Sequence, residues 1–128
     1  MLHHVEINVS DLTKAREFYE VFLPDLGYKL YQEWPEGFSY RMGNTYVVFV
    51  QTEEAFLPGG YHRKATGLNH LAFHADSRGH VDALTEKARK MGFRILYEDR
   101  HPFAGGPDYY AVFIEAPDLM KFEIVAPE

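Results

Sequence analysis

Two histidines four residues apart, His70 and His74, interrupt the run GLNHLAFHA (67–75), which otherwise alternates like a buried strand. An imidazole in such a place gives up packing that an aliphatic side chain would supply. A second histidine-bearing strand opens the chain: in HHVEINV (3–9), Val5, Ile7 and Val9 alternate with His4, Glu6 and Asn8. Near the far end, LMKFEIVA (119–126) puts Lys121, Glu123 and Val125 on one face and Phe122 and Ile124 on the other. If the polar faces of these strands line one cavity, His4, His70 and Glu123 can converge. Two imidazole nitrogens and a carboxylate suit a divalent first-row metal and leave coordination positions open to water or substrate. Strands also hold ligands more stiffly than loops do. The implied cofactor is one divalent ion per site: Fe, Mn, Ni or Zn. Taken singly, each residue is an ordinary core or surface group; the weight lies in their agreement.

The elements that must position these residues repeat. After the first strand, Ser10 or Asp11 can cap a helix in which Ala15, Phe18, Tyr19 and Phe22 recur at helical spacing until Pro24 and Gly27 stop it. Strands are expected at 28–34, 38–42 and 46–51, with Gly43-Asn44 turning between the last two. A connector follows at 52–66, and the order then recurs. In the second round a strand lies at 69–75, and Asp76 or Ser77 caps a helix carrying Val81, Leu84, Ala88 and Met91. Strands at 93–99, 108–115 and 119–126 complete it, with the loop RHPFAGGPD (100–108) placed to close over a site. Overlaying the halves puts His4 on His70 and, with a shift in the last strands, Phe49 on Glu123. The expected class is α+β: two βαβββ modules pairing curved mixed sheets around a central cavity. They form one domain over 1–128, made of module 1–51, connector 52–66 and module 67–128.

Composition narrows the partners. The formal charge is −6, and no run of Lys or Arg supplies the positive field that a nucleic-acid backbone requires. Cysteine is absent, which removes disulfides and thiolate chemistry. No segment has the pattern of an export signal or the length of a membrane span, so a cytoplasmic protein without nucleic-acid or membrane partners is expected.

Along its whole length the chain resembles the vicinal oxygen chelate superfamily, which includes glyoxalase I, extradiol dioxygenases, methylmalonyl-CoA epimerase and the fosfomycin and bleomycin resistance proteins. The segments that carry the likeness are HHVEINVSDLTKAREFYEVFLPDLGY, GLNHLAFHA and EAPDLMKFEIV. The resemblance implies that His4, His70 and Glu123 are the metal ligands. It puts the additional glutamate of glyoxalase I on Phe49, with Gln51 as the nearest polar substitute, and puts Phe113 where a tyrosine would favour a dioxygenase. The implied activity is metal-dependent chemistry on a small substrate with neighbouring oxygens, either glyoxalase-like lyase or isomerase or extradiol-type oxygenase. The rival is a non-enzymatic binding protein of the drug-resistance kind.

Proton transfer is assigned to His74, Glu6 and His101: His74 shares a strand face with His70, Glu6 lies beside His4, and His101 sits in the glycine-rich loop. The substrate walls are assigned to Tyr109, Phe49, Gln51 and Phe113, with Tyr109 placed by the pleat of its strand. Aromatic walls favour a small organic oxygen compound over a strongly anionic one. His62, Arg63 and Lys64 give the connector a positive end that either meets solvent or takes a substrate anion. The family likeness implies a homodimer, with the site formed within one chain or across two.

Overall fold

In the computed structural model, which describes residues 1–128, the chain divides into two units, Met1–Tyr61 and His62–Glu128. Each contains one helix and one four-stranded mixed sheet, and the α+β arrangement of two βαβββ modules is as expected. No helix is long and apolar enough to cross a membrane.

The first unit opens with β1 (His4–Val9), followed by α1 (Leu12–Phe22), β2 (Lys29–Trp34), β3 (Gly37–Met42) and β4 (Thr45–Gln51). Asp11 caps α1 by accepting from the Lys14 backbone N–H at 3.1 Å. Ala15, Phe18, Tyr19 and Phe22 are the buried stripe, as their spacing requires. Pro24 begins a 3-10 turn that ends at Gly27, whose φ of 96° is a backbone state that glycine adopts without steric cost. The strand order is β1-β4-β3-β2, with β1 parallel to β4 and the other pairs antiparallel.

Register decides which side chains face the helix. Ile7 is level with Phe49 and Glu6 with Val48. Phe49 is fully buried, stacked on Tyr19 of α1 at 4.0 Å between centroids and on Phe38 at 5.1 Å. It belongs to the helix-side core, and its assignment to the substrate wall is incorrect. Gln51, level with Val9, is also on structural duty: its Oε1 accepts from the Leu12 N–H at 2.9 Å, and its Nε2 donates to the Ser10 carbonyl at 2.8 Å. The side chain ties the end of β4 to the start of α1 and is not free for a substrate.

The second unit repeats the plan with β5 (His70–His74), α2 (Arg78–Lys90), β6 (Ile95–Leu96), β7 (Ala111–Glu115) and β8 (Lys121–Val125). Ser77 caps α2, accepting from the His80 N–H at 3.0 Å. The strand order is β5-β8-β7-β6, with β5 parallel to β8. Phe122, Ile124, Val112 and Ile114 are buried on the helix side. The opposite face holds an apolar cluster of Leu96, Ala111 and Phe113, with Tyr97, Ala104 and Val125 against it.

Two strand boundaries differ from expectation. β6 spans only two residues because Tyr97 takes a left-handed backbone, φ 56°, which turns the chain out of the sheet. β7 begins at Ala111, so Tyr109 and Tyr110 precede it. The intervening loop is stitched by successive turns, including Arg100 N–H to the Tyr97 carbonyl at 2.9 Å and Phe103 N–H to the Arg100 carbonyl at 2.8 Å. The expected connector also changes character, because Arg63 belongs to the second unit. It donates to Glu115 at 3.1 Å and to the Leu119 carbonyl at 2.8 Å, which makes it a structural clamp and not a receptor for a substrate anion.

Candidate active site

Parallel pairing of β5 and β8 sets the second unit's polar face. His70 is level with Lys121, and Ala72 with Glu123, so the His70 and Glu123 side chains stand diagonally on adjacent strands. His70 Nε2 lies 3.2 Å from Glu123 Oε1. The imidazole is fixed from its other side, where Nδ1 lies 2.7 Å from Asn69 Oδ1. With Nδ1 donating to that amide oxygen, Nε2 is the ring nitrogen that faces the carboxylate. Two electron-rich atoms facing each other at this distance need a positive species to share, either a proton on Nε2 or a cation accepting both. Two donors bound to one divalent ion stand about 3 Å apart, given bonds of about 2.0–2.2 Å. The pair therefore fits a metal's first shell.

Glu123 is only 2% exposed, and burial of a carboxylate is costly unless its oxygens are matched. Its second oxygen, Oε2, accepts a hydrogen bond from the Tyr109 hydroxyl. That bond to the carboxylate, reinforced by partial burial, pushes the phenol's pKa up to about 12. Tyr109 reaches the site from the loop before β7 and not from a strand position. Gly105 makes room for it: a Cβ there would lie 2.4 Å from the Tyr109 ring.

Around this centre is a cavity of about 480 Å³, lined also by Phe113, Tyr97, Lys121 and Arg100. Phe113, level with Glu123 on β7, puts its ring 6.1 Å from that of His70. Within the second unit the structure thus brings together His70, Glu123, Tyr109 and Phe113. It keeps His74 away from His70 and Glu123, although Tyr109 also borders the cavity on which His74 opens. Four strand residues separate the two histidines by about 13 Å, and His74 opens instead on a larger cavity of about 880 Å³ beside Arg78 and Asp108. His101 is also misplaced as a proton carrier. It lies on the helix side among Arg89, Glu98, Asp82 and Glu86, where burial first and then Arg89 lower its pKa.

In the first unit, His4 is exposed and stacks on Tyr46 at 4.8 Å, with its Nδ1 2.8 Å from His3 Nδ1. Glu6 shares that face and is exposed. Neither unit by itself gathers three His, Asp or Glu side chains into a metal-binding group. Matching the pairings of the two sheets makes Val48 the counterpart of Glu123, since Glu6 pairs with Val48 as Ala72 pairs with Glu123. The position implied for an additional glutamate ligand is therefore Val48, an apolar residue, and not Phe49. Sequence reasoning passed over three residues here: Asn69, Tyr97 and Lys121. Strand parity had already put Lys121 on the face of Glu123, whereas nothing local marked Tyr97.

Two four-stranded mixed sheets of this topology, each with a parallel outer pair and a helix on one face, define the vicinal oxygen chelate class of folds. The chain belongs to the Glyoxalase/Bleomycin resistance protein/Dioxygenase superfamily, whose family model matches residues 1–124. It is 55% identical over 126 residues, 98% of each chain, to the uncharacterized protein YqjT of Bacillus subtilis (strain 168). Its structure resembles that of a glyoxalase candidate from Bacillus halodurans, with TM-score 0.97 and 61% identity, covering 99% of this chain and 96% of that one. The fold is shared at TM-score 0.68 and 20% identity with lactoylglutathione lyase from Agrobacterium tumefaciens, over 98% of this chain and 92% of that one. It is shared at TM-score 0.68 and 16% identity with a genomically encoded fosfomycin resistance protein from Listeria monocytogenes complexed with Mn(II) and sulfate, over 100% and 93%.

Proposed function

We propose that the chain is a metal-dependent enzyme that acts on a small substrate with neighbouring oxygens, as a glyoxalase-like lyase or isomerase or an extradiol-type dioxygenase. The observation that carries this reading is the confrontation of His70 Nε2 with the buried Glu123 carboxylate, while Nδ1 is engaged by Asn69. His70 and Glu123 would hold the ion, with His4 as the third protein ligand, contributed by the same chain or by a second copy in a homodimer. A divalent ion so held supplies a Lewis acid that stabilises an oxyanion on the bound substrate. Asn69 fixes the tautomer of His70, and Tyr109 immobilises the second oxygen of Glu123 and so orients the first. Phe113 and the Tyr109 ring form an aromatic wall on one side of the cavity. Glu6, on the face of His4, is the remaining residue placed to carry a proton.

The experiment is metal analysis of anaerobically purified protein and of His70→Ala and Glu123→Gln, with circular dichroism as the check on folding. Stoichiometric metal in the wild type and its loss from both folded variants is the expected result; equal metal content in all three overturns the reading. Oxygen consumption then selects the dioxygenase, and thiol-dependent turnover without oxygen selects the glyoxalase-like reaction. Mixing His4→Ala with Glu123→Gln protein tests the source of His4. Metal binding recovers in the mixture only if the ligand crosses between copies.

A further inference from the structure

The cavity beside His70 and Glu123 is electrically unusual for this chain. The protein carries a formal charge of −6, yet two of the three charged side chains lining this cavity are cations, Lys121 and Arg100. Lys121 is half-buried on β8, level with His70 on one neighbouring strand and with Glu115 on the other. The two carboxylates beside it on the sheet are already committed. Glu115 is held by Arg63 at 3.1 Å and Arg94 at 3.6 Å, and Glu123 by His70 and Tyr109. The Lys121 ammonium instead donates to the Tyr97 hydroxyl at 3.3 Å and rests 5.4 Å from the Tyr97 ring centre and 5.7 Å from that of Phe113. The Arg100 guanidinium lies 5.0 Å from the same Tyr97 ring.

Ring faces are weak partners for an ammonium, and a partly dehydrated cation gains more from an oxyanion. Tyr97, turned out of β6 by its left-handed backbone, is the post against which both cations stand. We infer that Lys121 and Arg100, braced on Tyr97, form a subsite for an oxyanion of the carboxylate or phosphoryl class on the substrate. This deepens the reading of the site given above, because it makes the substrate an anion whose charged end sits beside the proposed metal ligands. It reverses the expectation that aromatic walls select a weakly charged compound. The walls are aromatic, but their rings carry cations.

The test uses the full chain after metal is stripped with a chelator and the chelator is removed by dialysis, so that no bound metal can take the anion. The probes are inorganic phosphate and acetate, titrated by calorimetry at low ionic strength. Wild-type protein is expected to bind at least one of them, and the probe bound more tightly identifies whether the substrate group is phosphoryl or carboxylate. Lys121→Met is expected to weaken that binding about tenfold to a hundredfold. Lys121→Arg should restore it, whereas Lys64→Met, a cation outside the cavity, should leave it unchanged. Binding unaffected by Lys121→Met, or absent from folded wild-type protein, overturns the subsite. Loss of metal content in His70→Ala with anion binding retained would separate this result from that of the metal analysis.

Discussion

Replacing Tyr109 with Phe removes one hydroxyl and little else, because the ring still rests over Gly105. The lost bond is a phenol donating to a carboxylate that is 2% exposed. Hydrogen bonds to charged groups contribute about 1.5–3 kcal/mol. Tyr109 itself is 39% exposed, so water competes for its end of the bond and the contribution falls to the bottom of that range or just below it, about 1–1.5 kcal/mol. The assay is urea unfolding of metal-free protein at pH 8 for wild type, Tyr109→Phe, Glu123→Gln and the double variant. The coupling energy from that cycle should fall near 1 kcal/mol. The pH dependence has a definite sign. Because the bond raises the phenol's pKa from 10 to about 12, its stabilisation is fully present below pH 10 and disappears as the pH rises through about 12. Wild type and Tyr109→Phe should therefore converge in stability at the alkaline end. A coupling energy below about 0.3 kcal/mol, or a difference that persists unchanged to the highest pH, would refute the assignment.

Gln51→Ala should cost about 1–2 kcal/mol in urea unfolding, because it removes the bonds that Gln51 makes to the Leu12 N–H and the Ser10 carbonyl, while metal content stays unchanged. Phe49→Ala should cost about 3–5 kcal/mol as a core cavity, with thermal unfolding as the readout and anion binding in the second unit unaffected. His101 has its pKa lowered by burial, so it contributes stability above its ordinary value of 6.5 that is lost as the pH falls toward its folded value. His101→Asn should flatten that acid-side loss in a series of unfolding curves from pH 7 to 5 and leave turnover at neutral pH intact; a collapse of turnover would return His101 to the catalytic set.

Most of the architecture was written in short-range pattern. The stripe of Ala15, Phe18, Tyr19 and Phe22, the alternation in β1, β5 and β8, and the repeated element order specify two alike modules without reference to tertiary contacts. His70 and Glu123 follow from that alternation, because parity alone places them on the face away from the helix. Phe49 shows where the method breaks. Aligning the last strands by residue similarity was off by one position, and a one-residue slip in a strand exchanges its faces, so a core aromatic was read as a wall and Val48 was missed. Gln51 and His101 were misassigned because their partners, the start of α1 and the flank of α2, are distant in sequence and carry no local mark. Tyr109 borders the cavity, but not from the strand position that the pleat implied. The strand expected to carry it begins two residues later, and only the packing of Gly105 against its ring explains its reach.

In both sheets the strand that comes last along the chain inserts between the first and third. On a ribosome, β5 therefore emerges long before the neighbour that will complete it, and its exposed edge waits through the synthesis of a helix and two further strands. When β8 finally arrives it does two things at once: it closes the hydrogen-bonding gap and delivers Glu123 to the waiting His70. A nascent chain thus forms the contact between His70 and Glu123 in the same step that makes the second module able to fold.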